Sequence, residues 1–104
     1  MFILLNLFLI YMKKLVRDNY EEIYPNDKYT RASKEVFLNL LLGKIREEVN
    51  EFEEKPSKEE LADILEIVYQ IAYDQDISLE ELETARKDKE KAKGSFKKRL
   101  IWHS

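Results

Sequence analysis

The chain has 104 residues, a net charge of −3, two glycines, two prolines and no cysteine. These values exclude a disulfide framework or thiolate zinc site and argue against duplex nucleic acid as a partner, since binding phosphate backbones needs a basic stripe. Charged residues at 38% beside hydrophobic residues at 44% suit amphipathic helices better than a sheet, so the expectation is one small all-α domain, cytoplasmic by default. At this size only about two-thirds of the unfolded surface is buried on folding, which favours a homo-oligomer.

In chain order, "MFILLNLFLIY" at 1–11 comes first. It is too short to cross a bilayer, which takes roughly 20 apolar residues, and its lysines follow the apolar run rather than precede it as in a signal peptide. Met12 opens "MKKLVRD", so the expectation is that residues 1–11 lie upstream of the true start and that 12–104 form the domain. An apolar packing or interfacial extension is the alternative. Residues 12–32 are less regular, with a turn expected at Pro25-Asn26-Asp27.

Three helices follow. The first is predicted from Ser33 or Lys34 to Glu54, with Val36, Phe37, Leu40, Leu41, Ile45, Val49 and Phe52 at three- and four-residue steps, and Pro56 ends it. The second begins at Ser57, a capping residue with Glu60 placed to complete a capping box. Its apolar set is Leu61, Ile64, Leu65, Ile67, Val68, Ile71 and Ala72. The third starts at Ser78, with Glu81 three residues on, and stops at Gly94. The two longer helices suit an antiparallel hairpin.

Both of those helices carry carboxylates on their apolar arc. Stepping about 100° per residue, Glu48 falls between Phe37 and Leu41, Glu51 between Leu40 and Phe37, and Glu60 between Ile67 and Ile71. Asp63 lies at the arc's edge and Glu47 just outside it. Three-residue spacing sends each pair, Glu48 with Glu51 and Glu60 with Asp63, toward one volume. Two carboxylates about 4 Å apart repel by about 4 kcal/mol at an effective dielectric of about 20, so four converging need neutralisation. An all-oxygen set suits Mg²⁺, with Mn²⁺ or Ca²⁺ possible, and Mg²⁺ shares its shell with substrate phosphates. A solvated acidic face, paired with Lys44 one turn earlier, is the competing explanation. Cations available for phosphates are Lys14, Arg17, Lys44, Arg86, Lys89, Lys93 and Arg99. Helix pairing and the helix dipole account for several of them equally well. Tyr69 and Trp102 suit core or interface packing better than stacking on a base, and His103, the sole histidine, reads as part of a frayed tail.

"EEVNE" at 47–51 and "ELAD" at 60–63, with "KLVRD" at 14–18, "KIREEVNEF" at 44–52, "EELADILEIVYQIA" at 59–72 and "KGSFKKRL" at 93–100, resemble in order the blocks of the MazG-like all-α nucleoside triphosphate pyrophosphohydrolases. They are similar to the small single-domain members, which resemble house-cleaning enzymes related to phosphoribosyl-ATP pyrophosphohydrolase. Asn19 and Glu21 depart from that pattern, as does the link of eight residues between Glu51 and Glu60. The resemblance implies a helical bundle completed by oligomerisation, with Glu48, Glu51, Glu60 and Asp63 as magnesium ligands and Glu47, beside Glu48, as a catalytic, water-orienting group. It implies cleavage of a nucleoside triphosphate to monophosphate and pyrophosphate. Phosphoribosyl-ATP hydrolysis and a noncatalytic metal-binding oligomerisation module are the alternatives.

Overall fold

The computed structural model describes residues 14–103, and within them the chain is helical with no strand. The expectation about residues 1–11 lies outside the described residues. The helices are α1 (Tyr20–Ile23), α2 (Lys34–Glu54), α3 (Lys58–Asp74) and α4 (Leu79–Lys93). The single turn α1 was not foreseen. It is closed by the Tyr29 hydroxyl, which donates a shared bond to the carbonyls of Tyr20 and Tyr24 at 3.1 and 2.9 Å, and by the turn through Pro25, where the Asp27 amide reaches the Tyr24 carbonyl.

The three long helices begin and end on local chemistry. Ser57 accepts from the Glu60 amide at 3.1 Å and Ser78 from the Glu81 amide at 3.0 Å, each satisfying one of the free amides of a first turn. Only Ser78 is answered by its carboxylate, donating its hydroxyl to Glu81. Among the described residues Glu60 makes no such bond. The capping box expected at Ser57 is therefore half formed, because the Glu60 side chain turns inward to the site described below. The Ile77 amide reaches back to the Ala72 carbonyl at 2.8 Å around Asp76 at φ +58°, a left-handed stop for α3 that a short polar side chain tolerates. Gly94, at φ +87°, stops α4.

The link at 55–57 is too short for anything but an antiparallel return, so α2 and α3 form a hairpin, and they make the main tertiary contact while α4 packs lightly on α3. The core is correspondingly small. Leu41, Ile67 and Ala72 are its buried apolar residues, and Glu48 is buried among them. Part of each predicted stripe is not covered: Val36, Leu40 and Val49 on α2, and Leu61 and Leu65 on α3, are exposed. A two-helix hairpin buries one line of contact, and a 100°-wide apolar stripe needs a neighbour on both sides. The radius of gyration, 17.4 Å, exceeds the roughly 13 Å of a compact chain of this length. Among the described residues no helix is long and apolar enough to cross a membrane.

Candidate metal centre

Packing α2 against α3 brings the carboxylates together. One oxygen each from Glu47, Glu48 and Glu51 lie within 4.8 Å of one another, as do one each from Glu48, Glu60 and Asp63. Glu48 belongs to both groups and is 6% exposed. The Oε2 atoms of Glu48 and Glu60 are buried without a hydrogen-bond partner, a costly arrangement for carboxylate oxygens unless something else fills the space. Buried oxygens with no partner, at a convergence of hard oxygen donors and with no sulfur or imidazole, fit a divalent cation of the Mg²⁺ or Mn²⁺ type.

Cations from two directions hold the outer edge. The Lys44 ammonium lies 3.3 Å from Glu48 and 3.6 Å from Glu47. The segment before α1 straps across the hairpin mouth, with Lys14 on Glu47 at 2.9 Å and Arg17 donating to Asp63 at 2.6 Å. Both strap pairs are part exposed, so each contributes little to stability and is readily exchanged. Lys14, Arg17 and Lys44, expected to serve phosphates, lie beside the carboxylate group and are paired with its members. Arg86 does not join them. Its guanidinium is bound by Glu83 and Glu90 on its own helix, because three- and four-residue spacing offered it nearer partners. Lys89, Lys93 and Arg99 are exposed and make no ion pair among the described residues. Trp102, 93% exposed, is not a core residue, and His103 is exposed in the tail.

The electrostatics follow from this crowding. Glu51 is held above the ordinary carboxylate value, first by a hydrogen bond shared with Glu48, then by burial and by the charges of Glu48 and Glu60. Glu60 is raised chiefly by burial, then by Glu48 and Asp63. For Glu47 burial pushes upward, but the hydrogen bond from Lys14 and the charge of Lys44 outweigh it and hold the group below its usual value. The native state therefore binds the protons of Glu51 and Glu60 more tightly than the unfolded chain does. The stability they contribute is full below the reference value of 4.5 and is lost as pH rises through their raised values. Glu47 contributes in the opposite sense, its share being lost as pH falls below 4.5. Metal-free protein is expected to melt at lower temperature at pH 7 than at about pH 5, and Glu60→Gln or excess Mg²⁺ to flatten that decline. Thermal melts in chelator and in Mg²⁺ measure it.

Among the described residues the chain is all-helical, and its hairpin gathers acidic side chains around unpartnered oxygens, a donor set of the kind that holds a divalent cation. The particular family is given by the dUTPase family model, which matches residues 7–95, and the chain belongs to that family. Its membership implies a hydrolase acting on nucleoside triphosphates. The resemblance to the MazG-like group is corrected by this match: the dUTPase family is a related all-α family. Paired carboxylates at three-residue spacing on two helices are what any hairpin presenting oxygen ligands to a divalent cation needs, so those motifs do not separate the two. No curated protein and no solved structure matches the chain.

Proposed function

We propose that this protein is a Mg²⁺-dependent pyrophosphohydrolase that removes noncanonical deoxynucleotides, dUTP first among them, by cleavage to the monophosphate and pyrophosphate. The observation that carries the reading is the pair of buried, unpartnered oxygens of Glu48 and Glu60 at the centre of the carboxylate group, in a chain of the dUTPase family. Glu48, Glu51, Glu60 and Asp63 hold the cation. Bound there, Mg²⁺ supplies Lewis acidity and charge neutralisation toward the triphosphate.

The remaining work belongs to side chains already at the rim. Lys14 and Arg17 exchange their carboxylate partners for phosphate oxygens, and Lys44 shares its charge between Glu48 and the substrate. Glu47 orients the attacking water and takes its proton. Lys14 and Lys44 keep Glu47 a weak base in the absence of substrate, and their transfer to the triphosphate returns its basicity when it is needed. No side-chain nucleophile is required.

Two experiments test this reading. Mn²⁺ titration followed by electron paramagnetic resonance is expected to give saturable binding that Asp63→Asn weakens. A panel of dUTP, UTP, dTTP and dCTP with Mg²⁺ is expected to yield dUMP and pyrophosphate fastest. A folded protein that binds metal and turns over no member of the panel is the noncatalytic module instead. Arg86→Ala is expected to leave turnover within about twofold, because the pairs it breaks are surface pairs on one helix.

A further inference from the structure

Two ion pairs carry the segment before α1 across the mouth of the hairpin, and both end on carboxylates of the candidate metal centre. The Lys14 ammonium lies 2.9 Å from Glu47 Oε1 on α2, and the Arg17 guanidinium donates to Asp63 Oδ1 on α3 at 2.6 Å. Leu15, between them, is half-buried. The strap thus takes one carboxylate from each of the two groups, since Glu47 belongs to the first and Asp63 to the second. It takes outer ones. The side chains of Glu47 and Asp63 are 36% and 38% exposed, whereas the oxygens left without a partner, on Glu48 and Glu60, are buried.

This arrangement sets two kinds of cation in competition for the same carboxylates. A divalent cation drawn to the buried oxygens of Glu48 and Glu60 takes further oxygens to fill its shell, and Asp63 is the third member of their group. Arg17 already stands on Asp63, so the guanidinium and the entering ion are like charges at one carboxylate and repel each other. The strap is the weaker claimant. It holds by single charges in part-exposed ion pairs, which are worth little, while the ion carries a double charge and meets oxygens that no donor satisfies. Lys44 is placed differently, because it reaches Glu47 and Glu48 from one turn away on their own helix.

We infer that residues 14–17 are a latch on the carboxylate group, closed as the structure shows it and opened by the divalent cation itself, before any triphosphate arrives. Closed, the strap neutralises the outer carboxylates and ties α2 to α3 across the mouth. Opened, Lys14 and Arg17 lose their carboxylate partners and become available to an anion. The cation is therefore bound first and the triphosphate second. By linkage the coupling is mutual, so whatever weakens the strap's hold tightens the ion's. The latch rests on the metal-centre reading above, and only the use of the freed cations on phosphate rests on the hydrolase reading.

The chain has no cysteine, so a nitroxide attached at Val16→Cys, an exposed position between Lys14 and Arg17, reports the strap alone in the full-length protein. In chelator its electron paramagnetic resonance lines are expected to be broad, and Mg²⁺ alone to sharpen them along a saturation curve. Adding Arg17→Ala to the labelled chain is expected to give sharp lines with or without Mg²⁺. On the unlabelled chain, Mn²⁺ affinity is expected to rise about threefold in Arg17→Ala and about tenfold when Lys14→Ala is added, the fold-changes of one and two exposed ion pairs. A substitution that merely loosened the fold would weaken Mn²⁺ binding, so the direction separates a latch from a structural tie. Lines that stay broad in saturating Mg²⁺ overturn the latch. So does Mn²⁺ affinity that is unchanged or lower in an Arg17→Ala protein with wild-type helical circular dichroism. Tighter Mn²⁺ binding beside a strap that ignores Mg²⁺ is the effect of a nearby charge alone and overturns it equally. Wild type without saturable Mn²⁺ binding overturns the metal-centre reading and the latch together. A latch that opens in a protein turning over no triphosphate stands, and the phosphate role of Lys14 and Arg17 falls with the hydrolase reading.

Discussion

Glu48→Gln is expected to reduce turnover by at least about a hundredfold and at the same time to make the metal-free protein more stable. Both effects have one cause. Glu48 is the residue common to the two carboxylate groups, buried with one oxygen 3.3 Å from Lys44 and the other unpartnered. Its charge is what the proposed cation requires and what the metal-free protein must tolerate. The amide keeps the shape and removes the charge, so it weakens the donor set and the rate that depends on it. It also puts an N–H donor where neighbouring carboxylates need one, relieving like-charge repulsion by on the order of 1 kcal/mol. Stability and activity moving in opposite directions is the signature of a functional site held under electrostatic tension. Chelated thermal melts beside a turnover assay measure the pair, and a variant both inactive and less stable would mark Glu48 as structural instead.

The second large effect is expected in the core. Ile67 is 8% exposed and lies with Leu41 and Ala72 in a core that has no other buried apolar residue among those described. Truncation to alanine removes about 2–4 kcal/mol from a chain of a size whose total stability is about 5–15 kcal/mol. The melting temperature is expected to fall by roughly 10–25 °C. On the proposed reading the cation binds only the folded hairpin, so Mg²⁺ at a hundredfold excess over its dissociation constant is expected to return about 2.7 kcal/mol and to recover much of the loss. Ile23→Ala, at a position 60% exposed, is expected to change stability by under about 1 kcal/mol. Denaturant melts of both variants with and without Mg²⁺ are the check.

How much of this was legible in the residues depends on the range of the interaction. Ser57, Ser78 and Gly94 act within one turn of themselves, and each stands where its type required. The approach of Glu48 to Glu60 and Asp63 was legible too, because a three-residue spacing on each helix and a link too short for a parallel return leave little freedom, whereas Glu51 gathers with Glu47 and Glu48 in a second group. Longer-range choices were not. Arg86 and Arg17 look alike in the sequence, yet one is bound on its own helix while the other crosses 46 positions to Asp63, and only the placement of the strap separates them. The apolar stripes gave the helices correctly but not their cover. Periodicity says which residues share a face, and Leu61 and Leu65 are left outside because one hairpin partner cannot reach round that face. The family was misread for a similar reason: short carboxylate motifs report the chemistry, while the match across residues 7–95 reports the lineage.

Pyrophosphate release from dUTP by the purified full-length chain, with Mg²⁺ and with chelator, beside Glu48→Gln, tests the central claim most directly. The account predicts one pyrophosphate per dUMP, formed only with the cation and lost with the substitution. Phosphate and dUDP as products, turnover that persists in chelator, or an undiminished rate in Glu48→Gln would each contradict it.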